Sequence, residues 1–307
     1  MKIGIAGAGA VGCYFGGLLA KAGHEVTFLA RGEHLRTMKA DGLVIRGDTK
    51  EFDVETNFTD NPYDLSSCEL LLFCVKSNDT KEMAELLKKS LQKDSLILTM
   101  QNGVENEEIL QEVFSLNRLL SAVTYVQAAI EKPGVIRQQG RVKLLIGDLG
   151  DQHHSEGIVS LFQQADIETG WSENILYRKW SKLLWNATFN PLSAIAQAKV
   201  GQILEDQNLY ETARQICLEA VEVAISKGFN FDKEKTINEV FFRAGYAKAH
   251  QTSMLQDRLN GKKMEVEAMC GYIVKEGKKL GISTPILQSI YSILNYINEK
   301  SFPSIQK

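Results

Sequence analysis

Three polar side chains recur at every fourth position along a stretch that is otherwise almost entirely apolar. They are Lys182, Asn186 and Asn190. A spacing of four places them on one face of a helix, and a helix that is apolar on nearly every side is buried. Burying an unpartnered amide costs roughly 1–3 kcal/mol, and an unpaired ammonium costs more. The pattern therefore predicts partners for these groups, either a polar small molecule or a hydrogen-bond network that braces the helix near Pro191.

A second polar group lies further along the chain. Ser253 begins the segment Ser-Met-Leu-Gln-Asp, and Glu265 stands between Met264 and Val266. A partly buried carboxylate near Lys182 would neutralise and orient the ammonium, and the Ser253 hydroxyl could hold a substrate carboxylate. Glu265 is explained equally well as an acid favoured by the dipole at a helix N-terminus. These residues alone do not separate the two interpretations.

The start of the chain carries a glycine-rich turn that matches G-x-G-x-x-G: Gly7, Ala8, Gly9, Ala10, Val11 and Gly12. It follows an apolar strand-like run directly and opens a helical pattern. In such a turn the first glycine allows a tight bend, the second lets a pyrophosphate approach the backbone, and the third lets helix and strand pack closely. The helix N-terminus adds N–H donors and a positive dipole. The turn predicts a dinucleotide-binding βαβ unit, the alternative being a turn used only for packing.

The end of the second predicted strand bears on the choice of cofactor. An acidic residue there would accept hydrogen bonds from a ribose 2′-OH and would repel a 2′-phosphate. This chain has Ala30 and Arg31 instead, and Arg36 and Lys39 lie on the helix expected next. Arginine presents a planar fork that suits a phosphate monoester. We therefore predict NADPH/NADP+ rather than NADH, unless Arg31 is only a solvated loop cation.

Two further polar residues end later strands. Lys76 follows the apolar run 70–75, and Asn102 follows the run 95–100 in a Gln-Asn-Gly turn. Open α/β sheets bind ligands at the carboxyl ends of their strands. Lys76 could reach phosphate, ribose or a substrate carboxylate there, and Asn102 could hydrogen-bond near a nicotinamide ring. Lysines and Asn-Gly turns are also common strand terminators, so each residue alone has a purely structural explanation.

The elements that must position these residues change in kind near residue 170. Before it, strand-like runs alternate with helical patterns, which is typical of a parallel α/β sheet. The predicted strands are 2–6, 25–30, 70–75, 95–100, 121–128 and 167–169, with a hairpin at 42–46 and 51–55 and an antiparallel addition at 135–139 and 142–146. Helical patterns cover 10–22, 155–164, 175–198, 210–227, 266–280 and 286–299. We predict an α/β fold, with an N-terminal Rossmann-type dinucleotide-binding domain (1–170) and an all-helical C-terminal substrate and catalytic domain (171–307).

Composition excludes several classes of protein. The 307 residues suffice for two domains that each bury a core. With 35 basic and 38 acidic residues the formal net charge is −3, which predicts neither a nucleic-acid-binding surface nor a polybasic membrane patch. No apolar stretch approaches the roughly 18 residues of a transmembrane helix. We expect a small-molecule partner, with no nucleic acid and no membrane.

The cysteines and histidines indicate the compartment and the absence of a metal. Five cysteines without a CxxC pair predict reduced thiols and a cytoplasmic location. Cys13 follows the glycine-rich turn at a helix N-terminus, a place that can lower a thiol pKa, but a buried structural role is preferred. The histidines are not at metal-ligand spacing, so no metal is expected.

Together these residues resemble the ketopantoate reductase (2-dehydropantoate 2-reductase) family over essentially the whole chain. The resemblance rests on the order and spacing of the glycine-rich turn, Ala-Arg-Gly at 30–32, Val-Lys-Ser at 75–77, Gln-Asn-Gly at 101–103, Lys-x3-Asn-x3-Asn-Pro at 182–191, Ser-Met-x-Gln-Asp at 253–257 and Glu265. It implies NADPH-dependent reduction of 2-dehydropantoate to (R)-pantoate in pantothenate biosynthesis. Two alternatives remain, a reductase of another small branched 2-oxo acid and a nonenzymatic NADPH-binding sensor. A homodimer is left open.

The resemblance also implies roles for single residues. Lys182 corresponds to the lysine regarded as the general acid, and Glu265 to the glutamate that orients substrate and lysine. The positions that match substrate-binding residues are Asn102, Asn186, Asn190 and Ser253. Those that match cofactor-binding residues are the six of the glycine-rich turn with Arg31, Lys76 and Asn102.

Overall fold

The computed structural model describes residues 1–115 and 118–301. The described residues form two compact units, which divide between Lys179 and Trp180. The division falls inside a single helix, Ile175–Ala196, whereas the sequence places the boundary just before that helix, at 170 and 171.

Ten strands of the described residues form one sheet in the first unit. They are β1 (Lys2–Ala6), β2 (Glu25–Leu29), β3 (Leu43–Arg46), β4 (Glu51–Val54), β5 (Asn57–Thr59), β6 (Leu70–Phe73), β7 (Leu96–Thr99), β8 (Leu119–Lys132), β9 (Val135–Asp148) and β10 (Thr169–Trp171). The spatial order is β4-β3-β9-β8-β7-β6-β1-β2-β5, and β10 pairs with β9.

The parallel centre of this sheet confirms the predicted α/β fold. β1 pairs in parallel with β2 and β6, β6 with β7, and β7 with β8. All four residues of β6 are buried, as expected for a central strand that is covered on both faces. The helices of this unit are α1 (Ala10–Lys21), α2 (Gly32–Asp41), α3 (Thr80–Lys88), α4 (Glu105–Val113) and α5 (Ser155–Gln164). One apolar core contains Phe15 of α1 and Phe162 of α5, and another contains Leu87 of α3 and Leu110 of α4.

The antiparallel part of the sheet differs from the prediction in one respect. β3 and β4 form the expected hairpin. The segments 135–139 and 142–146 are one strand, β9, which pairs with β8 along most of its length. The register shifts between Tyr125 and Gln127, opposite Gly140, which has a φ of 70°. A bulge at a glycine interrupts the alternation of side chains without ending the strand, and for that reason the sequence suggests two strands.

Every regular element that the structure describes in the second unit is a helix, as predicted. Its helices are α6 (Ile175–Ala196, shared with the first unit), α7 (Val200–Glu205), α8 (Gln207–Ser226), α9 (Lys233–Gly245), α10 (Ser253–Leu259), α11 (Tyr272–Leu280) and α12 (Pro285–Ser301). The predicted helix 266–280 begins with a π-helical turn, Glu267–Gly271, before α11. Trp180 is buried against the rings of Phe229 and Tyr272, with centroid distances of 5.2 and 6.0 Å.

No helix of the described residues is long and apolar enough to cross a membrane.

Candidate functional site

The glycine-rich turn joins β1 to α1, and each of its three glycines meets a different constraint. Gly7 has a φ of 99°, and a Cβ there would lie 2.7 Å from the backbone nitrogen of Val75. A Cβ on Gly12 would lie 2.3 Å from the carbonyl oxygen of Gly7. A Cβ on Gly9 would meet nothing within 4 Å. The first and third glycines thus serve the bend and the close packing, and the second leaves its backbone open to a phosphate at the N-terminus of α1.

Cys13 packs under this turn rather than reacting at its surface. The residue is fully buried, and its Sγ donates to the carbonyl oxygen of Ala8 at 3.3 Å. Burial raises the pKa of the Cys13 thiol far above its ordinary value, with a smaller contribution from Cys74. Desolvation of the thiolate therefore outweighs the helix dipole that could have lowered the pKa.

Arg31 lies just beyond the end of β2 and is the residue that precedes α2. Its side chain is 89% exposed, and Nη2 is 3.0 Å from Oδ2 of Asp79. An exposed pair of this kind contributes about 0.2–1 kcal/mol. A phosphate monoester can therefore compete with Asp79 for the guanidinium group at little cost.

Lys76 and Asn102 lie in the loops that follow the neighbouring strands β6 and β7. Lys76 is exposed and Asn102 is half-buried. The side-chain amide of Gln101 donates to the carbonyl oxygen of Val75 at 2.9 Å, which ties the two strand ends together. Asn106 donates to the carbonyl oxygen of Asn102 at 2.8 Å. The buried amides of Gln101 and Asn106 thus fix the backbone next to Lys76 and at Asn102.

A buried ion pair that the sequence does not reveal supports the same loop. Lys179 is 4% exposed and Glu107 is 1% exposed, and they form a hydrogen-bonded ion pair through Oε1 of the glutamate. The same Nζ donates to the carbonyl oxygen of Gln101 at 2.8 Å, and Ser121 Oγ donates to Glu107 Oε1 at 2.6 Å. A lysine within an apolar helical stretch is a visible signal, but its partner, 72 residues away, is not.

The polar ridge predicted from the sequence lies wholly within α6. Lys182 is half-buried, while Asn186 is 8% and Asn190 is 3% exposed. A spacing of four on a continuous helix puts the three on one face. Nδ2 of Asn190 is 4.0 Å from Sδ of Met269, a weak contact that brings the π-helical turn to this helix.

Side chains outside the ridge brace α6 around Pro191, which lies inside the helix. Thr188 Oγ1 donates to the carbonyl oxygen of Leu184 at 2.7 Å. The guanidinium group of Arg258 donates to the carbonyl oxygen of Ile195 at 3.0 Å, near the end of the helix. These contacts join side chains to backbone carbonyls of α6 on either side of Pro191.

The start of α10 is attached to α6 by a hydroxyl pair. Ser193 Oγ and Thr252 Oγ1 are 2.9 Å apart, and both side chains are fully buried. Thr252 also caps α10 by accepting from the backbone N–H of Leu255 at 3.2 Å. Ser253, the first residue of α10, is exposed, and Glu265 is half-buried immediately before the helix that starts at 266. The structure thus brings α6, the start of α10 and the turn after Glu265 together.

A glycine-rich turn at the N-terminus of α1 on a Rossmann-type sheet, followed in the chain by a helical unit, is the arrangement of a two-unit dinucleotide-binding protein. Two family models cover most of the chain. The model described as ketopantoate reductase PanE/ApbA matches residues 3–151, and its C-terminal counterpart matches residues 174–298. The chain belongs to the ketopantoate reductase family.

Individual relatives agree with this assignment. The chain is 32% identical to the 2-dehydropantoate 2-reductase of Pyrococcus horikoshii over 288 residues, which is 93% of this chain and 94% of that protein. A PanE/ApbA family ketopantoate reductase from Ralstonia eutropha has a TM-score of 0.91 and 33% identity, covering 98% of this chain and 99% of its own. The fold is also that of a D-mandelate dehydrogenase solved with NADH and anilino(oxo)acetate, with a TM-score of 0.90, 24% identity and coverage of 98% and 99%.

Proposed function

We propose that this chain catalyses the NADPH-dependent reduction of 2-dehydropantoate to (R)-pantoate, a step of pantothenate biosynthesis. The observation that carries the proposal is the ridge of α6, where a half-buried lysine stands in line with two buried asparagines in a chain of the ketopantoate reductase family. Lysine is a proton donor and amides bind carbonyl and hydroxyl oxygens. This combination suits a small 2-oxo acid.

In this proposal Lys182 supplies the proton of the reaction. When bound, NADPH supplies the hydride that reaches the C2 carbonyl carbon of the substrate. The carbonyl oxygen gains negative charge as the hydride arrives, and the Lys182 ammonium stabilises that charge and then protonates the oxygen. Glu265 orients the lysine and the substrate.

The remaining ridge residues hold the substrate in this proposal. Asn186 and Asn190 offer amide donors and acceptors. Because both side chains are buried, a hydrogen bond missing from either of them would cost free energy. Ser253, at the first position of α10, binds the substrate carboxylate with the helix dipole in its favour. Asn102, on the loop fixed by Gln101 and Asn106, binds at the junction of substrate and cofactor.

The cofactor site is assigned to the first unit. The backbone at Gly9 and the N-terminus of α1 fit a pyrophosphate, because a side chain on Gly9 would project into open space. Arg31 is assigned to the 2′-phosphate and Lys76 to the cofactor near the end of β6. The absence of an acid after β2, where Ala30 and Arg31 stand, supports NADPH over NADH.

A panel of 2-oxo acids tests the substrate assignment. Purified protein is mixed with NADPH and, in separate reactions, with 2-dehydropantoate, 3-methyl-2-oxobutanoate, pyruvate and phenylglyoxylate, and kcat/KM is measured from NADPH consumption. The proposal predicts the highest kcat/KM with 2-dehydropantoate. Equal values on unrelated acids, or a clear preference for another branched acid, would reject it. NADPH binding without turnover of any acid would point to a nonenzymatic sensor.

A further inference from the structure

One helix, α12, holds the chain on both sides of Glu265. On one side, the side chain of Asn298 bonds to both backbone polar groups of Met264. Asn298 Oδ1 accepts from the Met264 N–H at 3.2 Å, and Asn298 Nδ2 donates to the Met264 carbonyl oxygen at 3.1 Å. Asn298 is 8% exposed and Met264 is 2% exposed. Two bonds to a single residue fix the direction in which the backbone enters Glu265.

On the other side, Glu267 is held by the same helix. The hydroxyl of Tyr291 donates to Glu267 Oε1 at 2.5 Å. The other carboxylate oxygen, Oε2, is 2.7 Å from Nζ of Lys275, which lies on α11. Tyr291 and Asn298 are seven residues apart on α12, so they lie two turns apart on one face. Glu265 thus stands between two residues that are attached to one rigid element.

The π-helical turn at 267–271 affects the direction of the backbone at Glu265. A π turn contains one residue more than an α turn, and each residue rotates a helix by about 100°. The direction of the chain at Glu265 therefore depends on the π turn being kept. Gly271 allows it, because a Cβ there would lie 2.8 Å from both Glu267 Oε2 and Tyr291 Cε2. Any larger residue at position 271 would clash with the side chains of Tyr291 and Glu267.

We propose that Asn298, together with Tyr291, is a positioning residue for the Glu265 carboxylate. The inference rests on the proposed function, in which Glu265 orients the substrate and Lys182. Asn298 acts through the backbone of Met264, and Tyr291 acts through the π turn. A catalytic group must be held within about 0.5 Å of its productive place, and a displacement of about 1 Å can cost 10²-fold in rate.

The test uses Asn298→Asp, which is nearly isosteric. It keeps an acceptor for the Met264 N–H but sets an oxygen against the Met264 carbonyl. We expect kcat/KM for 2-dehydropantoate to fall about 10-fold or more, with the Kd for NADPH within about twofold of wild type. The matched control is Ile237→Ala, a buried apolar residue of α9. It should lower Tm yet keep the wild-type kcat/KM at a temperature where the protein is folded. Equal losses in both variants would overturn the proposal.

A double-mutant cycle separates positioning from general damage. If Asn298 acts through Glu265, then Asn298→Asp should slow the Glu265→Gln enzyme by less than about twofold. Multiplicative losses in the double variant would show that Asn298 acts independently of Glu265, and would overturn the proposal. Tyr291→Phe should behave as Asn298→Asp does, since it removes the hydroxyl donor and keeps the ring.

Hydrogen–deuterium exchange gives a readout that needs no substrate. Asn298→Asp should accelerate exchange of the backbone amides of residues 264–271, while exchange in α8 stays at the wild-type rate. Unchanged exchange at 264–271 would overturn the inference even if activity fell. If the wild-type protein reduces no 2-oxo acid, the proposed function is contradicted. The exchange rates of residues 264–271 would still show whether Asn298 fixes this segment to α12.

Discussion

Two lysines of α6, one turn apart, occupy different environments. Lys179 is 4% exposed, and its ammonium is committed to Glu107 and to the carbonyl of Gln101. Lys182 is half-buried, which leaves part of its side chain accessible to solvent and to a ligand. Burial therefore distinguishes the two lysines, although the residue type is the same: Lys179 is enclosed in an ion pair, and Lys182 is the proton donor of the proposed function.

Cofactor choice is a prediction at the scale of one residue. Replacing Arg31 with alanine should raise the Kd for NADPH about 10-fold or more and change the Kd for NADH less than about twofold, because a charge-assisted bond to a phosphate contributes roughly 1.5–3 kcal/mol. Fluorescence titration with each cofactor measures this. The control is Arg141→Ala, an arginine that is 90% exposed and pairs with Glu168 at 3.1 Å. Equal losses for the two cofactors would refute the phosphate contact.

At the scale of elements, a buried ion pair fixes α4 and the loop after β7 to the N-terminal part of α6. Replacing Lys179 with methionine leaves the Glu107 carboxylate buried without its counter-charge, which should lower the free energy of unfolding by about 3–5 kcal/mol. Adding Glu107→Met should recover most of that loss, because an apolar pair of similar volume needs no charge compensation. Urea denaturation measures both values. A double variant as unstable as Lys179→Met alone would contradict this reasoning.

The sequence predicts those elements whose signals are local. The glycine-rich turn, the apolar run of β6 and the Lys182–Asn186–Asn190 ridge each appear in one short window, and the structure contains the corresponding strands and helix. The sequence predicts two strands where the structure has β9 alone, because a bulge at Gly140 breaks the alternation of side chains. The bonds of Lys179 to Glu107 and of Asn298 to Met264 join residues far apart in the chain, and periodicity carries no information about such pairs. The roles of the individual site residues remain predictions.

At the scale of the whole molecule, three half-buried histidines make stability depend on pH. Burial lowers the pKa of His34, whose Nδ1 accepts from the Gly134 N–H at 3.0 Å, and burial also lowers the pKa of His24 and His250. Each group therefore binds its proton more readily in the unfolded chain. The stabilisation that depends on these uncharged histidines is complete above pH 6.5, the ordinary histidine pKa. It is lost as the pH falls from there towards the lowered pKa values of the folded protein.

We predict that the Tm of the wild-type protein is lower at pH 5.5 than at pH 7.5, and that this difference is smaller in His34→Gln. Glutamine keeps an acceptor for the Gly134 N–H but cannot become charged, so the proton uptake linked to His34 is lost. Thermal melts followed by circular dichroism measure the change. His153→Gln, at an exposed position, is the control and should melt with the wild-type pH dependence. A His34→Gln protein as sensitive to pH as wild type would contradict the assignment.

We propose that the Lys182–Asn186–Asn190 ridge of α6 gives this protein its 2-dehydropantoate reductase activity, with Lys182 as the proton donor. The most direct measurement compares wild type and Lys182→Ala in NADPH-dependent reduction of 2-dehydropantoate, with the Kd for NADPH determined for both. We predict turnover by wild type, a kcat about 10²-fold or more lower in the variant, and an NADPH affinity retained within about twofold. Equal turnover by the two proteins, or no turnover by wild type, would contradict it.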